Sequence, residues 1–338
     1  MSEELPLLPE DISWEEAQAK LEALDLGDGL PLVPPTMSRY EAMLSNRGSP
    51  EESFGFLMPL MGNLTLGTAA YNCVLAGCRP EDLPVVLTAA EACTAEEFNL
   101  LGLLSTTGTP TVAVCVQGPI VDELGINAGG NVLGPGKRAN ACIGRAVSLI
   151  MRNVAGARPG VADMATMGQP GKYTFCFGEG THSGFPSLPE RKGFDATDNC
   201  VTVLGVSGTA EVLPTGASDT PERVLEPIAV AMNSNIDITS LSRKPERNEQ
   251  VFLIPPEIAD ILTNNGWDLV RVQAYLQGSR CAYVYADNDE TDDRPLAPTP
   301  EDIHPIITGG VGIKMTHVPL WAGGSRMVTR KLREFSTI

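Results

Sequence analysis

Short apolar runs, each closed by a proline and followed by a helical stretch and a glycine turn, recur along this chain. Such phrases occur at LPLVPPTMSRYEAML (30–44), VAVCVQGPIVDELGINAGG (112–130) and VFLIPPEIADILTNNG (251–266). An apolar run of this length bounded by turn residues reads as a buried strand, and the 3.6-residue spacing after it as a helix. From the proline onward the second and third phrases align without a gap. Pro119 matches Pro256, Leu124 matches Ile261, Asn127 matches Asn264 and Gly129 matches Gly266, each at an offset of 137. A second helical stretch follows each, KRANACIGRAVSLIM (137–151) and DLVRVQAYL (268–276), and then a Gly-Lys segment, GQPGKYTFCF (168–177) and GGVGIKMTHV (309–318). AGCRP (76–80) and AGARP (155–159) link the first phrase to the second. This predicts an α/β fold built from two, and on the weaker first phrase three, duplicated strand–Pro–helix–Gly units packed around a shared cleft. Chance recurrence in a Gly/Pro-rich α/β chain is the competing explanation.

The expected organisation is an N-terminal helix in 1–25, units at 26–110 and 111–200, and a third unit at 201–338 that carries an acidic, proline-rich excursion at 284–302. Ser13 followed by Glu16 forms a capping box, with Trp14, Ala17, Leu21 and Leu24 on one face of the first helix. Composition agrees with this picture: Gly 34 and Pro 27 accompany an ordinary 43% hydrophobic content, so the excess signals tight turns rather than disorder. The net charge of −18 disfavours nucleic acid and anionic membranes as partners, and no apolar run is long enough for a membrane helix. The acidic N-terminus lacks a secretory pattern. The eight cysteines (73, 78, 93, 115, 142, 176, 200 and 281) show no C-x-x-C pair. Together these lead to the expectation of a cytoplasmic protein. The three histidines, 182, 304 and 317, have no metal-site spacing, so no metal is expected.

Three segments carry candidate chemistry. GINAGGNVLGPGKRANACIGRA (125–146) is a glycine-rich turn opening a helix, where exposed N–H groups can cradle a carboxylate or phosphate. Asn127, Gly129, Gly134, Gly136, Arg138 and Asn140 are its candidate ligand-binding residues. Gly134, Gly136 and Ala139 satisfy G-x-G-x-x-[GA], but no strand immediately precedes them and the next acid, Asp163, is too distant for dinucleotide binding. In the second segment, Gly168 and Gln169 deliver Lys172 to the start of a strand, with Glu179 just beyond it; the surrounding sequence is not a Walker A loop. In the third, Lys314 repeats the Gly-Lys phrase, His317 follows, and Ser325 and Arg326 form a further candidate anion turn. Lys172, Lys314 and Arg138 would neutralise an anion, and Glu179 or a lysine would shuttle a proton. Cys78, beside Arg79 at a helix end, is the thiol whose pKa a neighbouring cation could lower.

AGCRPEDLPVVL, GINAGGNVLGPGKRANACIGRA and DMATMGQPGKYTFCFGE, with DGLPLVPPT (28–36) and VPLWAGGSRMVTR (318–330), resemble a bacterial family associated with Sec/Cys-Gly-Ser-Cys (UGSC-type) seleno/thiol proteins. The resemblance spans roughly residues 25–330 and implies thiol or selenol chemistry on a small molecule. Two features depart from the family. Gly323-Gly324-Ser325-Arg326 is the nearest run to Cys-Gly-Ser-Cys, and Thr106-Thr107-Gly108-Thr109-Pro110 stands where relatives carry Thr-Thr-His-Pro. From the glycine turns and their basic residues, the expected function is a small-molecule enzyme acting on an anionic, carboxylate-like substrate by lyase-type bond cleavage or rearrangement, as a homo-oligomer or with a partner subunit. A thiol-dependent redox enzyme using Cys78 and a non-catalytic ligand-binding subunit are the alternatives. The cofactor is left open.

Overall fold

A computed structural model describes residues 5–214, 219–240, 249–279, 283–284, 291–292, 297–321 and 323–335. The chain opens with helices α1 (Trp14–Ala23) and α2 (Met37–Leu44), a hairpin of β1 (Ser53–Leu57) and β2 (Gly62–Thr65), and helices α3 (Leu66–Ala76), α4 (Leu83–Ala92) and α5 (Leu100–Ser105). Then come β3 (Thr111–Gln117), α6 (Ile120–Glu123), α7 (Arg138–Asn153), β4 (Cys176–Gly178), α8 (Leu188–Arg191), β5 (Cys200–Val206) and β6 (Ala210–Val212). The remainder is α9 (Pro221–Ser240), β7 (Gln250–Ile254), α10 (Pro256–Asn264), α11 (Leu269–Gly278), a minimal hairpin of β8 (Tyr283–Val284) and β9 (Thr291–Asp292), β10 (Ile303–Ile307), β11 (Met315–Val318) and β12 (Val328–Lys331). Cys281 and most of the acidic 284–302 stretch lie outside the described residues.

Among the described residues, two four-stranded mixed sheets are ordered β12-β5-β3-β4 and β10-β7-β11-β6. Every residue of β3 is buried, as its unbroken apolar run implies for a strand covered on both faces. Val112, Val114 and Val116 point to the core shared with α3, α4 and α7. Ala113 and Cys115 point the other way and meet Leu204, Val251, Leu253, Ile306 and Val318 in a second core between the sheets. Phe252, Ile254 and Ile307 face a third core beneath α9, α10 and α11. The architecture is thus four layers, helix–sheet–sheet–helix.

The two sheets share one wiring. A central strand (β3 or β7) passes through helices to a parallel neighbour (β4 or β10), and an antiparallel strand (β5 or β11) flanks its other side. The outermost strands are exchanged. β6 follows β5 in sequence but pairs with β11, while β12 follows β11 and pairs with β5. A division of the chain at residue 200 therefore falls at the start of β5, and residues 201–331 supply strands to both sheets. Residues 31–35 of the first phrase are irregular, with Thr36 making an isolated bridge to Leu8 before α2. No helix among the described residues is long and apolar enough to cross a membrane.

Candidate functional site

The site begins with the turn that the GQPGK phrase encodes. Gly168 takes φ +70°, a left-handed conformation that glycine adopts without strain, and Pro170–Lys172 form one tight 3₁₀ turn. The Gln169 side chain clamps this turn by donating to Thr109 O (2.7 Å) and Val206 O (2.8 Å). Thr111 Oγ1 donates to Gly171 O (3.3 Å). The turn is thereby fixed where β3 begins and β5 ends, and it aims Lys172 at the loop that leaves α7. In that loop the Arg158 carbonyl accepts from the N–H groups of Val161, Ala162 and Asp163, while Asp163 Oδ1 accepts from Ala165 N (3.1 Å). Asp163 Oδ2 then meets Lys172 Nζ at 2.6 Å, with both side chains partly exposed.

This ion pair lines a cleft of about 700 Å³ whose walls include Leu104, Val112, Leu149, Arg152, Met167 and Tyr173. A second acid in the cleft, Asp28, is held by Arg145 Nε (2.7 Å) and Nη2 (2.8 Å). That bidentate bond keeps its carboxyl below the usual carboxylate range despite the opposing effect of burial. Arg152 pairs with Asp25 through Nη2, while its buried Nε has no hydrogen-bond partner.

The other predicted site residues fall elsewhere. Asn127 and Asn140 bind one another: Asn127 N donates to Asn140 Oδ1 (2.7 Å), and Asn140 Nδ2 donates to Asn127 O (3.2 Å) and Cys176 O (3.1 Å). Gly129 N donates to Asn127 Oδ1 (2.9 Å). These donors hold the glycine-rich turn together, so they are not open to an anion as the sequence led us to expect. At Gly134 an added Cβ would lie 2.1 Å from Asn131 Oδ1 and displace that side chain, and Gly136 takes φ +131°. Arg138 donates to Gly77 O and not into the cleft. What the turn does meet is the other half of the chain. Gly309 N donates to Ala128 O (2.9 Å), and a Cβ on Gly310 would sit 2.6 Å from Gly130 Cα.

Lys314 is exposed and lies 3.6 Å from Glu211 at the start of β11, whereas Lys172 precedes β4. By sheet wiring the counterpart of β4 is β10, so the two lysines are not topological equivalents. Ser325 is buried with an unpartnered hydroxyl, and Arg326 Nη2 is taken by Asp302 Oδ1 (2.5 Å) and Glu249 Oε1 (3.6 Å). Carboxylates thus already occupy the candidate anion turn at 324–326.

Glu179 is not on the cleft wall. It is buried, with both carboxylate oxygens 3.1 Å from Leu188 N. Burial raises its pKa to about 7, against the lowering influence of Arg191. Sequence reading missed a neighbouring pair, His304 Nε2 and Glu249 Oε1, which lie 3.4 Å apart and are both buried. Their 55-residue separation leaves no local trace. The only available signal is a histidine and a glutamate at adjacent ends of two apolar runs. His182 bonds Asp260 (3.0 Å), and burial lowers the pKa of His317 to about 4. Among the described residues, no cluster of His, Cys, Asp and Glu could hold a metal ion.

Cys78 behaves opposite to expectation. Helix α3 ends in a Schellman motif, with Gly77 at φ +83° donating to Val74 O (3.0 Å) and Cys78 N donating to Cys73 O (2.9 Å). This motif brings the residue after the glycine against the one five positions earlier, which here places two thiols together. The Cys73 contact, burial and the Asp82 charge push the Cys78 thiol well up, outweighing the lowering effect of Arg138. Cys142 is half-buried, and the other described cysteines are buried. Brief iodoacetamide labelling at pH 7.5, read by peptide mass spectrometry, should mark Cys142 first and Cys78 about tenfold more slowly. Faster labelling at Cys78 would contradict the raised pKa.

No family model matches this chain, and the searches of curated proteins and of solved structures likewise found no match.

Proposed function

We propose that this chain is an enzyme that acts on a small carboxylate-like molecule in the Lys172 cleft by lyase-type bond cleavage. One observation carries the reading: a lysine–aspartate pair at 2.6 Å stands on the wall of a cleft of small-molecule size. Lys172 has three N–H donors and gives one to Asp163, so a substrate carboxylate can take another. Asp163 then removes the proton beside that carboxylate. The C–H electron pair forms the new double bond as the group on the next carbon leaves, and Lys172 stabilises the charge that develops on the carboxylate. Glu179 has no part in this step. The thiol alternative loses support because Cys78 is buried with a raised pKa.

A panel of small carboxylates should contain members that raise the melting temperature and bind by calorimetry. Lys172→Ala should sharply weaken both effects. It should cost the free protein about 1 kcal/mol or less, as for a partly exposed ion pair. Asp163→Asn should retain binding but lose formation of the α,β-unsaturated acid, followed by its ultraviolet absorbance. Unchanged binding in Lys172→Ala, or a variant that does not fold, would overturn this role for Lys172. Binding without product in the wild type would make the chain a ligand-binding subunit.

We also infer that the halves around β3 and β7 are copies of one unit. Their shared wiring and the ungapped Pro119–Gly129 and Pro256–Gly266 alignment support this.

A further inference from the structure

We propose that the ligand of the Lys172 cleft is amphipathic, a single carboxylate carrying an extended apolar body. This rests on the carboxylate reading above and adds the chemistry of the remainder of the molecule. Away from the ion pair, Leu104, Ala157 and Pro159 give the walls apolar surface beside Asp28 and Arg152, with Val112, Leu149 and Met151 buried behind them. The loop that frames the mouth is more unusual. Met167 and Tyr173, on the cleft wall, are 86% and 47% exposed, and Val161 and Met164 of the same loop are 66% and 51% exposed. Single exposed apolar residues are ordinary on a protein surface, but four within thirteen positions beside a cleft are not scattered. Two are methionines, whose unbranched side chains adapt to irregular apolar shapes.

Charge limits the ligand to one anionic group. Asp28 is saturated by Arg145, and Arg152 is neutralised by Asp25 with its Nε buried and its side chain only 16% exposed, which leaves Lys172, 27% exposed beside Asp163, as the more accessible cation. A dicarboxylate would set its second charge beside the Asp28 carboxylate or against apolar side chains, with the repulsion and desolvation cost that entails. A monocarboxylate with an alkyl or aryl body places its charge on Lys172 and its carbon chain against the exposed apolar side chains of Tyr173 and Met167.

The test is calorimetric titration with straight-chain carboxylates from acetate to decanoate, kept below micelle-forming concentrations, alongside the matching carboxamides. Affinity should rise about fourfold per added methylene and level off once the chain passes the rim. Each carboxamide should bind more weakly than its acid. Met167→Ser should flatten the dependence on length, whereas Lys172→Ala should erase the preference for acid over amide and keep that dependence. Binding that requires Lys172 but is indifferent to length overturns the amphipathic ligand and leaves the carboxylate site standing. Length-dependent binding that neither substitution alters places the ligand elsewhere and overturns both readings. No binding across the whole series also overturns both.

Discussion

Glu179→Gln should leave stability unchanged near pH 4 and raise it by about 3 kcal/mol above pH 7.5, measured by urea unfolding across that range. The carboxyl titrates near 4.5 in the unfolded chain and at about 7 in its buried position. Between those values the folded protein holds a proton that the unfolded chain has released. The contribution of the protonated acid is therefore complete below pH 4.5 and is lost as the pH rises through 7. Glutamine resembles the protonated form and keeps an oxygen to accept from Leu188 N, so the variant never pays for ionisation inside the sheet layer. Arg191 stands beside the site in both proteins, and its attraction is already contained in the value of about 7. His317 works in the opposite sense. Its pKa falls from 6.5 to about 4 on burial, so its contribution is present above 6.5 and lost toward pH 4. The two slopes oppose one another in the wild type, and the difference between variant and wild type isolates Glu179. Parallel stability profiles for the two proteins would show that Glu179 does not titrate as described.

Gly62→Ala should destabilise the protein by about 3 kcal/mol or more, at the upper end of overpacking costs, read from the same unfolding curves. Alanine in place of glycine ordinarily stabilises by restricting the unfolded chain. At the start of β2, however, the added methyl would lie 1.8 Å from Val154 O, a backbone atom at the exit of α7. A flexible side chain could move aside, but this carbonyl cannot without shifting the end of the helix. The hairpin is tied to the same exit by Leu60 N donating to Ala155 O (3.0 Å). That exit also continues into the loop carrying Asp163, so the distortion should reach the cleft. Gly208→Ala is the control: nothing lies within 4 Å of its Cβ, and its stability should be unchanged or slightly higher. Equal behaviour of the two variants would refute the packing account.

Local signals carried part of the way. Ser13 Oγ accepts from Glu16 N (3.3 Å) and starts α1 at the expected place, while Glu16 Oε2 accepts from Ser13 Oγ (3.2 Å) rather than closing a capping box on Ser13 N. Trp14 and Leu24 are nevertheless half exposed, because only Ala17 and Leu21 reach the core. The runs at 112–117 and 251–254 are strands, and the stretches at 137–151 and 268–276 are helices, within a few residues. The Lys172 turn was legible because Gly, Pro and Lys at consecutive turn positions leave few backbone choices. Its partner was not. Asp163 is aimed by hydrogen bonds to the Arg158 carbonyl, and composition carries no mark of that. The error at Cys78 had a readable remedy: a cysteine five residues before another, across an Ala-Gly helix exit, is the spacing of a Schellman contact. Strand exchange was beyond reach, since an alternation of period two identifies a face but not the sheet that owns it.

The exchange of β6 and β12 has a mechanical consequence. Each half closes the flank of the other, as two hands do when the last finger of each hooks around its opposite. Separating the halves therefore means stripping an edge strand from each of the two sheets. The Gly130–Gly310 contact is thus reinforced by two strands, each of which crosses from one half to the sheet of the other.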